Sequence, residues 1–265
     1  MTGPISPYIS WQRKADVVTI SIDRPKQQNA LSSDMYADLR NCVRLASASP
    51  EVRAIVLRGS PGAFAVGGDL ESFLQLLESG ASTFRANFEM MYSDPLPFRA
   101  MLECDKPILS VVDGFCIAGG LYLALCSDIV LASTRSQFGI PEARVGLAET
   151  PAIKLLLPAI GMTRTRYLLL TGAFIGADVA ERWGLVTQVV PEAELEDAAV
   201  KIITHLKACS PAAISAYKSM LNDEIGHMSS KVLIETASGP DGIEGLRAFR
   251  EKREPRWTSA GRNDE

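Results

Sequence analysis

A chain of 265 residues can form one large domain or a domain with an appendage, and its 47% hydrophobic and 22% charged residues are typical of a globular protein. Its net charge of −4 argues against nucleic acid as the main partner, because phosphate binding needs a basic face. The longest uncharged stretch, Gly114 to Ser127, is too short to cross a membrane, and we expect no secretory signal. The five cysteines form no CxxC pair, which predicts reduced thiols, no metal site and a cytoplasmic location.

Hydrophobic periodicity predicts alternating strands and helices from the N-terminus onward. Apolar and polar residues alternate in both strands of a hairpin, whereas Met35, Leu39 and Val43 recur at helical spacing. The continuously apolar run Ala54 to Leu57 indicates a sheet buried on both faces. The predicted elements are strands Ile9 to Arg13 and Val17 to Ile22, a helix of about Ser33 to Ser47, a strand Ala54 to Leu57, an irregular helical region Leu70 to Cys104 with a loop Ser79 to Ser82, and a strand Ile108 to Val112.

The second half of the chain becomes progressively more helical. Thr150-Pro151 looks like an N-cap followed by proline at the first helical position. Strands and helices in alternation predict an α/β core with a mainly parallel sheet, and the helical tail has no sheet to cover. The predicted elements are a strand from Ile129, an extended segment Gln137 to Gly139, helices of about Ala152 to Ile160, Thr163 to Thr171 and Ala177 to Trp183, a strand Leu185 to Val189, and helices of about Glu192 to Cys209, Pro211 to Asn222, Ser229 to Ala237 and Asp241 to Lys252.

Two glycine-bearing loops each lead from a strand into a helix. The first contains Gly67-Gly68-Asp69 and the second contains Ala118-Gly119-Gly120. Glycine lets the backbone approach a ligand closely, and the first N–H groups of a helix lack intrahelical partners. Each loop alone is also explained as a tightly packed turn. Together, the two loops can direct two backbone N–H groups at one oxygen, which is the geometry of an oxyanion hole.

Five segments, in order along nearly the whole chain, resemble the successive signatures of the crotonase family, also called the enoyl-CoA hydratase/isomerase family. This resemblance implies an α/β fold built as a spiral of ββα units over residues 1–195, which carries an acyl-CoA site. It also implies a helical C-terminal region over residues 196–265 that packs into trimers or dimers of trimers. The segments are IDRPKQQNALS (Ile22 to Ser32), GAFAVGGDL (Gly62 to Leu70), DGFCIAGGLYLALCSDIVLAS (Asp113 to Ser133), FGIPEARVGL (Phe138 to Leu147) and EGLRAFREKREPRW (Glu244 to Trp257).

The resemblance implies that the substrate is a coenzyme A thioester and that no other cofactor is needed. In the family, the thioester oxygen accepts hydrogen bonds from two backbone N–H groups, and these positions correspond here to Gly68 and Gly119. The oxygen gains negative charge only as the neighbouring carbon loses a proton, so the two donors favour the enolate. The residues expected around the substrate are Ala65, Asp69, Leu70 and Tyr122.

The acid–base residues depart from the pattern of the hydratases. Enoyl-CoA hydratases hold one water with two glutamates, and the corresponding positions here are Tyr122 and Glu142. One carboxylate can move a proton between two carbons, as in the similar Δ3,Δ2-enoyl-CoA isomerases, whereas positioning water usually needs two. The sequence therefore favours isomerisation with Glu142 as proton carrier. Glu149 is a second candidate acid or a solvated charge near a helix start, and Tyr122 is a pocket wall or a hydroxyl donor.

Two lysines are candidate partners for coenzyme A phosphates, or else solvated surface residues. Lys26 lies in a loop near the adenine in similar proteins, and Lys252 is placed to reach a phosphate from a neighbouring subunit. The alternatives for the reaction are hydration with Glu142 and Glu149, or hydrolysis, decarboxylation or C–C cleavage of a specialised acyl-CoA. A further alternative is a catalytically silent binding subunit with an RNA contact through the basic segment Arg247 to Arg256.

Overall fold

The computed structural model describes residues 3–4, 6–80, 83, 86, 96–223, 225 and 231–257, which form two β-sheets and a series of helices. The strands are β1 (Gly3–Pro4), β2 (Ile9–Lys14), β3 (Val17–Ile22), β4 (Ala54–Gly59), β5 (Ala63–Ala65), β6 (Ile108–Val112), β7 (Phe115–Ile117), β8 (Ile129–Ser133), β9 (Gln137–Gly139), β10 (Phe174–Gly176) and β11 (Gln188–Val190). The α-helices are α1 (Ser33–Ala48), α2 (Leu70–Glu78), α3 (Pro97–Glu103), α4 (Gly119–Leu125), α5 (Thr150–Thr171), α6 (Ala177–Trp183), α7 (Leu195–Ala208), α8 (Pro211–Asp223), α9 (Lys231–Ala237) and α10 (Pro240–Glu251). Short 3₁₀ helices cover Pro25–Gln27, Glu142–Val145 and Glu192–Glu194.

The larger sheet has the strand order β1-β2-β3-β4-β6-β8-β11, and it is parallel from β3 onward. The predicted hairpin of β2 and β3 is confirmed, with Ile9 opposite Ile22. Residues Ala54 to Leu57 of β4 are all buried, as their apolar run predicts. The smaller sheet has the order β10-β9-β7-β5, in which only β10 is antiparallel to its neighbour.

Successive strand pairs contribute one strand to each of the two sheets. The pairs β4-β5, β6-β7 and β8-β9 each place their first strand in the larger sheet and their second in the smaller one. The first pair is followed by α2, the second by α4, and the third by a 3₁₀ helix and α5. This repetition confirms the expected spiral of ββα units, and it brings the ends of β5, β7 and β9 together.

Several predicted element boundaries are wrong. The three-residue strands β5, β7 and β10 have no periodicity of their own, and the sequence does not indicate them. The predicted strand Leu185 to Val189 is instead Gln188–Val190, because Leu185 and Val186 are buried residues of the preceding loop. Thr150 is the first residue of α5 and not its N-cap; Glu149 occupies the N-cap position without a side-chain capping bond.

The helical predictions agree better with the structure. Helix α5 has a non-helical residue at Gly161, with φ of +74°, so the two predicted helices Ala152 to Ile160 and Thr163 to Thr171 are the two halves of α5. The region Leu70 to Cys104 is described at its two ends by α2 and α3, while most of 81–95 lies outside the described residues. The start of the predicted helix from Ser229 also lies outside them.

Helices α9 and α10 pack against α2 of the same chain. Leu233 of α9 and Leu246 of α10 share an apolar cluster with Leu74 of α2. Arg250 also pairs with Glu78 at 3.2 Å. These helices therefore lie beside the ββα core. None of the helices in the described ranges combines the length and the apolar character that a membrane crossing requires.

Candidate active site

The two glycine-bearing loops lie in direct contact. They follow β5 and β7, which are parallel neighbours in the smaller sheet. A Cβ atom built on Gly67 would lie 2.6 Å from the Cβ of Ala118 and 3.1 Å from the backbone nitrogen of Gly119. Gly67 also has a φ of +89°, which disfavours any other residue. Only glycine therefore lets the first loop approach the second so closely.

Main-chain hydrogen bonds hold the first loop in place. The N–H of Leu31 donates to the carbonyl of Gly67 at 2.8 Å, and the N–H of Asp69 donates to the carbonyl of Leu31 at 3.0 Å. This pairing uses the residues on both sides of Gly68 and leaves the Gly68 N–H outside it. In the second loop, Gly119 is the first residue of α4, so its N–H has no intrahelical acceptor.

A cavity of about 360 Å³ opens at these loops. Its wall is largely apolar and includes Leu, Val and Phe side chains, while its polar groups are few. A cavity of this size and character suits a small, mostly apolar ligand group with a few oriented polar atoms. The predicted site residues that line it are Gly68, Asp69, Leu70, Gly119, Tyr122, Glu142 and Glu149.

Glu142 is the buried carboxylate of this cavity. It begins the 3₁₀ helix that follows β9, and it is 8% exposed. The hydroxyl of Tyr122 donates to its Oε1 at 3.0 Å, whereas its buried Oε2 has no hydrogen-bond partner among the described residues. Burial raises the pKa of Glu142 to about 7, against the opposing effects of its own backbone N–H and of Tyr122. This carboxyl can therefore exchange a proton near neutral pH.

Glu149 and Tyr36 are two further polar residues of the cavity wall. Glu149 is partly buried at the start of α5, and Tyr36 of α1 is 7% exposed. Burial raises the pKa of the Tyr36 hydroxyl well above its ordinary value, and the charges of Glu149 and Glu142 raise it further. Both carboxylates are thus close enough to act on Tyr36. Sequence reasoning assigned it no role, although it lies three positions before Leu39 on the apolar side of α1.

Arg24 positions Asp69, the residue that follows Gly68. The Arg24 guanidinium donates to Asp69 Oδ2 at 2.8 Å, and both side chains are mostly buried. Burial alone would raise the pKa of Asp69, but the bonds from Arg24 and from the Ser72 N–H outweigh it and lower the pKa below its ordinary value. Asp69 also caps α2 by accepting from the Ser72 N–H at 3.3 Å. It therefore anchors the loop that carries Gly68.

Asn29 is a fully buried polar side chain that ties the segment before α1 to β5. Its Oδ1 accepts from the Arg24 N–H at 2.7 Å, and its Nδ2 donates to the carbonyl of Ala63 at 2.7 Å and to that of Phe64 at 3.3 Å. Its left-handed φ of +61° aims the side chain at the strand. Sequence reasoning included Asn29 in a motif but assigned it no role.

Three predicted site residues lie away from the cavity wall. Lys26 is exposed on the 3₁₀ helix Pro25–Gln27, and Lys252 is exposed just after α10. Ala65 is buried in β5, where a Cβ atom on Gly120 would overlap its carbonyl oxygen. Ala65 thus sets the contact between the two loops. Near the C-terminus, Phe249 of α10 lies in the cavity wall, whereas Lys252 does not.

Comparisons with known proteins agree on one family. The family model described as enoyl-CoA hydratase/isomerase matches residues 12–260. A probable mitochondrial enoyl-CoA hydratase of Dictyostelium discoideum is 30% identical over 256 residues, which cover 93% of this chain and 89% of that protein. A carnitinyl-CoA dehydratase of Shigella flexneri is 29% identical over 96% of this chain and 99% of its own. The crystal structure of an enoyl-CoA hydratase/isomerase from Pseudoalteromonas atlantica superposes with a TM-score of 0.80 at 27% identity, covering 94% of this chain and 99% of that one.

Proposed function

Because this chain belongs to the enoyl-CoA hydratase/isomerase family, we propose that it shifts the double bond of an enoyl-CoA, with Glu142 as the single proton carrier. The observation that carries this proposal is the environment of Glu142. One of its oxygens is held by Tyr122, and the other is buried in the cavity wall without a partner among the described residues. One carboxylate with one available oxygen suits a proton transfer between two carbons.

The backbone N–H groups of Gly68 and Gly119 are the proposed donors to the thioester oxygen. Both residues line the cavity, and neither N–H takes part in the pairing of the loops described above. Negative charge grows on that oxygen when the α-carbon is deprotonated, so donors fixed by the fold stabilise the enolate more than the substrate. Removing one donor of this kind typically slows a reaction about a hundredfold to a thousandfold.

In the proposed reaction, the carboxylate moves the proton and the two donors stabilise the charge that develops. Glu142 removes a proton from C2 of a 3-enoyl-CoA, and the electrons of that C–H bond form a dienolate whose charge lies on the thioester oxygen. The protonated Glu142 then returns the proton to C4, and the double bond has moved from C3–C4 to C2–C3. Atoms and charge balance, and Glu142 ends as it began. A pKa of about 7 allows both half-reactions at neutral pH.

Hydration is the second candidate, and one observation favours it. Glu149 lines the same cavity as Glu142, and both raise the pKa of Tyr36, so two carboxylates lie near one site. Relatives of this chain carry hydratase and dehydratase names. The hydratases hold their water with two glutamates, and one of these positions is occupied here by Tyr122. For hydration, Glu149 would have to take the place of that missing glutamate.

Product analysis distinguishes the two candidates. The purified protein is incubated separately with a 3-enoyl-CoA and a 2-enoyl-CoA, and the products are resolved by chromatography and mass. Isomerisation converts the 3-enoyl-CoA to 2-enoyl-CoA. Glu142→Gln should abolish the formation of this product, whereas Glu149→Gln should largely retain it. Formation of 3-hydroxyacyl-CoA that both variants abolish would establish hydration, and product formation unaffected by Glu142→Gln would overturn the assignment of Glu142.

The coenzyme A moiety and the assembly extend this proposal. Lys26 and Lys252 are exposed cations and can meet phosphates as point charges. In a trimer or dimer of trimers, Lys252 of one subunit would approach the nucleotide bound by another. Light scattering at several protein concentrations tests the assembly, and the affinity of Lys26→Ala and Lys252→Ala for coenzyme A tests the cations.

A further inference from the structure

Tyr36 brings a side-chain hydroxyl to the N-terminus of α4. A Cβ atom built on Gly119 would overlap the Tyr36 hydroxyl oxygen and lie 3.5 Å from its Cζ. The ring is fixed from the side, because it packs edge-on against Phe98 with centroids 6.2 Å apart and an interplanar angle of 69°. Phe98 packs in the same way against Tyr122 at 5.9 Å. The hydroxyl therefore has little freedom to leave Gly119.

The Tyr36 side chain is buried, and it lines the cavity. Buried hydroxyl groups in proteins nearly always have a hydrogen-bond partner. The other tyrosine of the wall, Tyr122, donates to Glu142. The two tyrosines thus have different surroundings, since the Tyr122 hydroxyl is bonded to Glu142 and the Tyr36 hydroxyl lies against Gly119.

The surroundings of Tyr36 keep it protonated. Burial and the nearby charges of Glu149 and Glu142 raise its pKa, so at neutral pH it remains a neutral O–H group that can donate a hydrogen bond. It would not act as a base. A neutral donor beside a developing negative charge is the chemistry of an oxyanion hole.

We propose that the Tyr36 hydroxyl is a third donor to the thioester oxygen, alongside the N–H groups of Gly68 and Gly119. The proposal rests on the function proposed above. It adds a side chain to a site otherwise built from the main chain. It also places a catalytic residue on α1, an element that contributes neither of the two glycine loops nor Glu142.

The test uses Tyr36→Phe, which removes the hydroxyl oxygen and keeps the ring that packs on Phe98. Butyryl-CoA, a saturated thioester, is the probe. Three quantities are measured for this probe. They are its affinity, the rate at which its α-proton exchanges with deuterium oxide, and the position of the infrared band of its isotope-labelled carbonyl. The control is Tyr217→Phe on α8, whose side chain is largely exposed and distant in sequence from the site.

We expect Tyr36→Phe to exchange the α-proton about a hundredfold more slowly than wild type, as for loss of one oxyanion donor. Its affinity for butyryl-CoA should change by less than about threefold, because the ground-state oxygen carries little charge. The bound carbonyl band should move back toward its position in water. Tyr217→Phe should match wild type in all three measurements.

An unchanged carbonyl band and exchange rate in Tyr36→Phe would overturn the role of Tyr36 while leaving the proposed function intact. If wild type neither binds butyryl-CoA nor exchanges its proton, the proposed function fails and this inference fails with it. Should Tyr36→Phe not fold, 3-fluorotyrosine at position 36 retains the hydroxyl and makes it a stronger donor. The carbonyl band must then move further from its position in water, and a band that does not move contradicts the proposal.

Discussion

The hydroxyl of Tyr122 donates a hydrogen bond to Oε1 of Glu142 over 3.0 Å inside the cavity wall. Tyr122 is only 1% exposed, and its ring is held edge-on by Phe98, so the donor is fixed in direction. The bond favours the ionised carboxylate, whereas burial opposes it. Tyr122 thus limits how far the pKa of Glu142 rises and leaves Oε2 as the oxygen that can carry a proton.

Glu142→Gln should lose about a hundredfold to ten-thousandfold of the activity, which is the usual contribution of a positioned acid or base. The amide preserves the size of the side chain but cannot accept the substrate proton. Steady-state rates with a 3-enoyl-CoA measure this loss. Glu194→Gln changes an exposed glutamate of another 3₁₀ helix and is the matched control. Equal activities of the two variants would contradict the role of Glu142.

The pH dependence of kcat/KM should show an ascending limb near pH 7, because Glu142 must be ionised to remove a proton. The Tyr122 bond lowers this pKa, so Tyr122→Phe should move the limb to higher pH. Kinetics from pH 5 to 9 measure both curves, with Tyr167→Phe on the exposed side of α5 as the control. A limb displaced to lower pH in Tyr122→Phe would show that the bond does not stabilise the carboxylate.

The raised pKa of Glu142 should also make the folded protein less stable as the pH rises. Between the ordinary pKa of 4.5 and about 7, the folded state binds more protons than the unfolded state, so the free energy of unfolding falls as pH increases through this window. Glu142→Gln lacks this contribution and should gain on the order of 3 kcal/mol relative to wild type at pH 8 compared with pH 4. Denaturant unfolding at both pH values measures the difference, and an equal response of the two proteins would argue against a buried, ionising Glu142.

Alanine at the two proposed donor positions should have unequal effects on stability. A Cβ atom on Gly68 meets nothing within 4 Å, whereas one on Gly119 overlaps the hydroxyl of Tyr36. Gly119→Ala should therefore lower the free energy of unfolding by about 1–3 kcal/mol through overpacking, and Gly68→Ala by less than about 1 kcal/mol. Thermal unfolding of both variants measures this contrast. Similar losses would mean that Tyr36 does not lie against α4 as described.

Asn29→Ala should destabilise the protein by about 2–5 kcal/mol, because it leaves the Ala63 carbonyl and the Arg24 N–H without their partners. Gln28→Ala is the control, since Gln28 shares the left-handed conformation but is exposed. It should change the free energy of unfolding by less than about 0.5 kcal/mol, because glutamine and alanine both carry a Cβ atom and pay a similar cost for this conformation. Urea unfolding separates the two variants. An equally small loss in Asn29→Ala would show that the buried bonds are dispensable.

Sequence alone determined the features that depend on neighbouring residues. The order of most strands and helices, the two glycine loops and the family signatures all follow from local periodicity or short motifs. One of these motifs makes Glu142, beside Pro141, the candidate proton carrier. The strands β5, β7 and β10 escaped detection because three residues carry no period. Their existence depends on the sheet that they join.

Tertiary structure alone decided which residues meet in and beside the cavity. Tyr36 reaches Gly119 across 83 positions of sequence, Tyr122 reaches Glu142 across 20, and Asp69 reaches Arg24 across 45. No spacing rule predicts such pairs, because they depend on how whole elements pack and not on the backbone period of one element. The same packing removes water from Glu142 and raises its pKa, so its acidity is a property of the folded chain.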